Sequence, residues 1–146
     1  MSLQSSILVT SQDSYELRLV VSVQGTAADL PSEEKELKAY MARNKCPAGM
    51  LVTPERARFY RNNYTDYTPE SVELIAECPT IDLLETPEKV VEPYLEYFVQ
   101  EWLESLAGGA RRSWPPAVRE AIEFDVIPMI RGGYVGASGP RWLRTA

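Results

Sequence analysis

A chain of 146 residues, 45% hydrophobic and 25% charged, holds about one globular domain's worth of sequence, enough for one sizeable core and not for two. The net charge of −6 argues against a dedicated nucleic-acid binder, and the absence of histidine excludes Ser-His-Asp, Cys-His and HExxH chemistry from this chain. No apolar run approaches the roughly 20 residues needed to span a bilayer, and residues 1–6 lack the charged and apolar regions of a signal peptide, so a cytoplasmic protein with no membrane partner is expected.

Residues 5–10 are short and β-branched and read as a strand, followed by turn residues at Gln12-Asp13-Ser14. From 15 to 24 the chain alternates, with Leu17, Leu19, Val21 and Val23 on one face and Val20 on the other. That pattern suits a central strand covered on both sides, with a hairpin partner before it. A connection leads to a helix at 31–45, with Leu37, Tyr40 and Met41 on its buried stripe, and Asp29 or Ser32 as its cap. Gly49-Met50-Leu51-Val52-Thr53 reads as the next buried strand, residues 57–61 as its antiparallel partner and 72–76 as another strand. Between the last two lies a polar loop bearing Tyr64 and Tyr67. Thr80 to Leu84 forms a short helical turn, and Thr86-Pro87-Glu88 starts a second long helix that Pro93 kinks or restarts.

That helix carries Tyr94, Leu95, Phe98, Val99, Trp102, Leu103 and Leu106 as one stripe, with Glu92, Glu96, Glu101 and Glu104 off it, and ends at Gly108-Gly109. A short helix at 116–124, the apolar run 126–130 and a Gly132-Gly133 hairpin turn into Tyr134-Val135 complete the chain. The expected fold is α/β, one domain over 1–146, with a central mixed sheet of about five strands flanked by the 31–45 and 86–107 helices.

Charge is unevenly placed. Positions 66–104 hold eleven acids against Lys89 alone, whereas 35–61 hold seven bases against Glu36 and Glu55. The segment 111–144 adds six arginines against Glu120, Glu123 and Asp125. A basic face could meet phosphate, and a solvated charged surface explains the same asymmetry without a ligand. Cys46 and Cys78, with no histidine as co-ligand, read as two reduced, part-buried thiols. No phosphate-binding glycine loop occurs, the spacing of Gly132, Gly133, Gly136 and Gly139 being wrong for one.

Four stretches, in order, carry a family resemblance over roughly residues 5 to 61: the hairpin ending in Val20-Val21-Ser22-Val23-Gln24, the helical Glu36-Leu37-Lys38-Ala39-Tyr40-Met41, the strand Gly49-Met50-Leu51-Val52-Thr53, and Arg58-Phe59-Tyr60-Arg61. This order resembles the restriction-endonuclease-like core of the PD-(D/E)XK nuclease-like superfamily, nearest in flavour to the N-terminal nuclease domain of type I restriction enzyme R subunits. In that family an Asp on the first strand and a Glu-x-Lys at the end of the second hold a divalent metal and activate water. Carboxylates suit Mg²⁺, which prefers hard oxygen ligands, and the lysine stabilises developing charge.

The alignment sets Ser6 at the Asp position, and Ser22 and Gln24 at those of the Glu and Lys. Neither serine supplies a charged ligand and Gln24 supplies no cation, so the resemblance implies the fold with a degenerate active site. The expectation is a catalytically inactive nuclease-fold module, without a cofactor, serving a binding or structural role. Its partner would be another protein or a second copy of itself; contact with nucleic acid has only the charge asymmetry behind it. The nuclease-like core spans 5–61, and 86–146 forms a helical and hairpin extension.

An alternative keeps Mg²⁺-dependent cleavage through a displaced site on the helix, using Glu36 and Lys38, with Glu16 or Asp13 as metal partners on the hairpin. Glu36 and Lys38 are two apart and do not share a helix face. The family pattern also starts with a helix before the first strand, so this chain could be a fragment, with Met1-Ser2-Leu3 as an added leader. A third reading is an acidic interaction domain whose partner meets the 66–104 face or the loop around Tyr64 and Tyr67.

Overall fold

The structure, a computed structural model, describes residues 6–11, 16–25, 28–84, 94–131 and 133–137. The aliphatic, β-branched stretches form strands β1 (Ser6–Ser11), β2 (Leu17–Val23), β3 (Ala48–Val52), β4 (Arg56–Asn62) and β5 (Val72–Pro79). A sixth, β6 (Gly133–Ala137), comes from the end of the chain. Helix α1 (Leu30–Arg43) joins β2 to β3; α2 (Thr80–Leu84), α3 (Leu95–Ala107), α4 (Pro116–Ala121) and α5 (Ile127–Ile130) follow β5. The strands form one mixed sheet in the order β5-β4-β3-β2-β1-β6. Strands β2 and β3 pair in parallel, with Val21 beside Met50, and the remaining pairs are antiparallel.

Parallel pairing needs a crossover, and α1 supplies it over one face of the sheet. Leu37, Met41 and Ala42 bury that helix against Val20, Leu51, Tyr60 and Val72. The other face carries Ile7, Val9, Leu19, Val21, Val23, Met50, Val52 and Phe59 and is covered by the helices after β5. Every residue of β3 is buried, as expected of a strand enclosed on both sides. The fold is therefore α/β with a mixed sheet flanked by helices. No helix among the described residues is long and apolar enough to cross a membrane.

Three details depart from the sequence pattern. Leu17 packs on the α1 face although Leu19, Val21 and Val23 point to the other. A bulge explains it: Val9 pairs with Leu19 and Thr10 with Leu17, so Arg18 is the extra residue and the side-chain alternation is reset there. Arg18 then reaches the helical layer, donating from Nη2 to the Pro128 carbonyl at 2.8 Å.

The run 126–130 is helical rather than separate from the helix before it. A π-helical turn at Ile122–Val126 links α4 to α5, and the Ile127 N–H bonds the Ile122 carbonyl five residues back. Pro128 follows, where no N–H exists to continue the ladder. Gly133 accordingly opens a strand paired with β1, Val135 beside Val9, instead of turning a hairpin. Finally, Glu96 is buried, because it stands three before Val99 and seven before Leu103 on the flank of the α3 stripe. The helix start at 86–88, Pro93 and the turn at 12–14 lie outside the described residues.

One buried polar residue ties the α1 end of the sheet together. Asn62 Nδ2 donates to the carbonyls of Met41 (3.3 Å) and Cys46 (3.2 Å). Its Oδ1 accepts from the Tyr64 N–H and the Ser71 hydroxyl, both at 2.9 Å. All its polar capacity is used to join α1, the α1–β3 turn, β4 and the loop before β5. Replacing it would leave several buried groups without partners. Asn62→Ala is expected to lower stability by about 2–4 kcal/mol, read as the shift in urea midpoint at unchanged slope; a loss below about 0.5 kcal/mol would contradict this role.

Candidate functional site

Directly paired residues in neighbouring strands share a face, so the register lays a continuous row across the α1 side of the sheet. It runs from Ser22 through Leu51 and Arg58 to Glu77, and Ser6 is the backbone partner of Ser22. The three positions singled out by the family resemblance thus meet at one end of the β1–β2 hairpin. Ser22 is fully buried and accepts a hydrogen bond from Gln24 Nε2 at 2.9 Å. The Gln24 N–H bonds the Val52 carbonyl at 2.9 Å, extending the β2–β3 pairing past the strand end. This corner contains a neutral, internally bonded Ser–Gln pair where a carboxylate and an ammonium would be needed for metal-assisted hydrolysis.

Farther along the row the chemistry is ionic. Arg58 Nε donates to Glu77 Oε2 at 2.8 Å, and Arg56 Nη2 lies 3.3 Å from Glu77 Oε1. Arg58 Nη1 also approaches Glu34 Oε2 (3.4 Å), and the same oxygen accepts the Tyr60 hydroxyl at 2.6 Å. Lys38 Nζ is 4.0 Å from Glu34 Oε1 and 5.9 Å from the Tyr60 ring centroid. Three cations and two carboxylates leave one net positive charge, with each acid already held by a base.

Exposed pairs such as Arg56–Glu77 contribute at most about 1 kcal/mol, while the hydrogen bond from Tyr60 to a charged acceptor contributes about 1.5–3 kcal/mol. The network's first effect is to fasten α1 onto β4 and β5.

Lys38 therefore belongs to this network and Glu36 does not. Glu34, Lys38 and Met41 share one flank of α1; Glu33, Glu36 and Tyr40 share the opposite flank. Glu36 Oε2 is buried without a hydrogen-bond partner. Burial, and then the charges of Glu36 and Asp29, push the Glu33 carboxyl above its usual range. Glu16 is exposed near the hairpin turn, and Asp13 lies outside the described residues. Among the described residues no three His, Cys, Asp or Glu side chains are grouped to hold a metal ion. Both cysteines are free and buried, Cys46 on the α1 face and Cys78 on the other. Burial pushes their thiols up to about 12 and about 11, well away from reactive thiolate behaviour.

The aromatic loop occupies the opposite end of the sheet, beside Asn62. Tyr60 is core, but Tyr64 and Tyr67 are 56% and 70% exposed. Both gather around Lys45: the Tyr64 hydroxyl donates to the Lys45 carbonyl (3.4 Å), and Lys45 Nζ is 5.5 Å from the Tyr67 ring centroid. Lys45 takes a left-handed conformation, φ 54°, as it closes α1, with Cys46 N–H bonding the Met41 carbonyl. A second aromatic and acidic surface lies on α3, where Tyr97, Gln100, Glu101 and Glu104 line a shallow cavity of about 220 Å³.

The ionic network was only half legible in the sequence. Glu34 and Lys38 stand at the helical i, i+4 spacing, but partnering Arg58 with Glu77 needs the β4–β5 register. The one available signal was the succession of a basic segment and an acidic one, which here become adjacent strands.

The arginines hold the Glu77 carboxyl below its ordinary value of 4.5, so its stabilising contribution is complete above pH 4.5 and lost as pH falls further. Burial, the Glu34 hydrogen bond and the Glu34 charge hold the Tyr60 hydroxyl above its ordinary 10.0. Its contribution is complete below pH 10 and lost as pH rises. Unfolding free energy measured across pH should fall on both sides, with Glu77→Gln flattening the acid limb and Tyr60→Phe the alkaline one. At neutral pH Tyr60→Phe should cost about 1.5–3 kcal/mol; unchanged limbs in both variants would refute the assignment. No protein-family model, curated protein or solved structure matches the chain.

Proposed function

We propose that this chain is a catalytically silent domain with a restriction-endonuclease-like core, acting in the cytoplasm as a binding or structural module. One observation carries the reading: Gln24 and Ser22 hydrogen-bond each other at the hairpin corner, with Ser22 fully buried. The hairpin, the crossover helix and the parallel strand after it agree with such a core. Hydrolysis of a phosphodiester there would need a hard anionic ligand for Mg²⁺ and a cation near the nucleophile, and a neutral amide and hydroxyl supply neither. No cofactor is proposed.

The buried, unpartnered Glu36 oxygen is the one feature that favours the alternative of a displaced Mg²⁺ site. Against it, Lys38 faces the other flank, where Glu34 and Tyr60 occupy it. As a module, the chain offers two contact surfaces: the Tyr64–Tyr67 loop, and the acidic, tyrosine-bearing side of α3, suited to a basic protein partner.

Calorimetric titration with Mg²⁺ and Mn²⁺ should show no binding, and plasmid or single-stranded DNA incubated with Mn²⁺ should stay intact. Cleavage that disappears in Glu36→Ala would overturn the proposal in favour of the displaced site. Gel shifts at low salt would test for nucleic acid separately, with binding that weakens steeply as salt rises marking phosphate contact.

A further inference from the structure

The two edges of the sheet are built differently. The β5 edge carries Glu73 and Glu77, ends at Pro79, and contains a bulge against β4 between Phe59 and Tyr60. Charges, proline and bulges are the usual means by which an edge strand is kept from pairing with another chain. The β6 edge has none of them: its sequence, Gly-Tyr-Val-Gly-Ala, is uncharged and proline-free, and its register against β1 is unbroken from Ile7–Ala137 to Ser11–Gly133. Among the described residues β6 pairs with β1 alone, and none of them forms a strand beside its outer row of N–H and C=O groups.

The five residues are also self-complementary. Antiparallel pairing of two β6 strands about a two-fold axis through Val135 sets Val135 opposite Val135 and Gly133 opposite Ala137. It sets Tyr134 opposite Gly136. No like charges meet in this register. The same operation on β5, centred on Ile75, would bring Glu73 against Glu77 and repel.

We infer that β6 is a self-association edge through which two copies of this chain join their sheets into one of twelve strands. The inference is independent of the nuclease-like reading of the core. A five-residue edge offers few hydrogen bonds and little buried area, so the dimer is an equilibrium in the roughly micromolar to millimolar range and not an obligate one.

Two measurements test it. Sedimentation of the unmodified chain over a roughly hundredfold concentration range should show reversible conversion of monomer to dimer. A chain monomeric throughout overturns the inference and leaves the edge to no second copy. In the second, Val135→Cys should form an intermolecular disulfide under mild oxidation, because directly opposed Cα atoms lie at a separation a disulfide bridges. Leu74→Cys, exposed on the β5 edge, is the control and should cross-link roughly tenfold less at the same concentration. Equal cross-linking by the two variants, or a dimer seen without preferential Val135→Cys cross-linking, would overturn the edge assignment. Unchanged circular dichroism and melting temperature establish that Val135→Cys is folded; sedimentation of the unmodified chain does not depend on that variant.

Discussion

Pairing β2 in parallel with β3 is the constraint from which the rest of the architecture follows. Two adjacent parallel strands cannot be joined by a turn, so the chain crosses one face of the sheet as α1. That crossover buries Val20, Leu51 and Tyr60 on one side and leaves the other to a second layer. The helices after β5 supply that layer, with α3 contributing Leu95, Val99, Trp102, Leu103 and Leu106. Residues 19–23 of β2 and all of β3 therefore have no solvent-facing side, which is why polar atoms there need partners inside the protein. Ser22 finds Gln24. A charged group at the same place would need a partner of opposite sign or a metal ion to offset its desolvation.

The helical layer is fixed to the sheet by polar contacts as well as by packing. Arg61 clasps Asp125 with two hydrogen bonds of 2.9 Å, and Arg18 holds the Pro128 carbonyl. Both contacts fall on the π-helical turn or just beyond it. Widening the helix there turns Asp125 toward β4 while Ile122, Val126 and Ile127 stay in the core. Both faces of the six-stranded sheet are thus closed by apolar packing with ionic anchors beside it, one under the single helix α1 and the other under an irregular helical segment.

Much of this was legible in the residues. Alternation and β-branched runs located β1 to β5, and the Leu37–Met41 stripe located α1, because these patterns follow directly from backbone periodicity. What escaped had longer-range causes. The position of Leu17 depended on a bulge that only a partner strand creates. The strand at 133–137 is short and glycine-containing, and becomes a strand because β1 stands ready to pair with it. The charged site was harder still: Arg58 reads as one of a block of bases until the register sets it beside Glu77, where the two pair. The hairpin that carries Ser6 and Ser22 was legible from alternation, while the bond between Gln24 and Ser22 required coordinates.

The pairing of β1 with β6 has a consequence for how the molecule assembles in time. Strands β1 to β5 form from successive or near-successive segments, each adding to an existing edge over a modest loop. Strand β6 joins Ile7 to Ala137, so the loop it closes is nearly the whole chain. Loop-closure entropy grows only logarithmically, but for a loop of roughly a hundred residues it still amounts to about 4 kcal/mol. Packing of β6 against α3 and α5 helps offset that cost. Among the described strand pairings, that of β1 with β6 has the longest sequence separation, so it adds most to the contact order that governs how slowly a sheet forms.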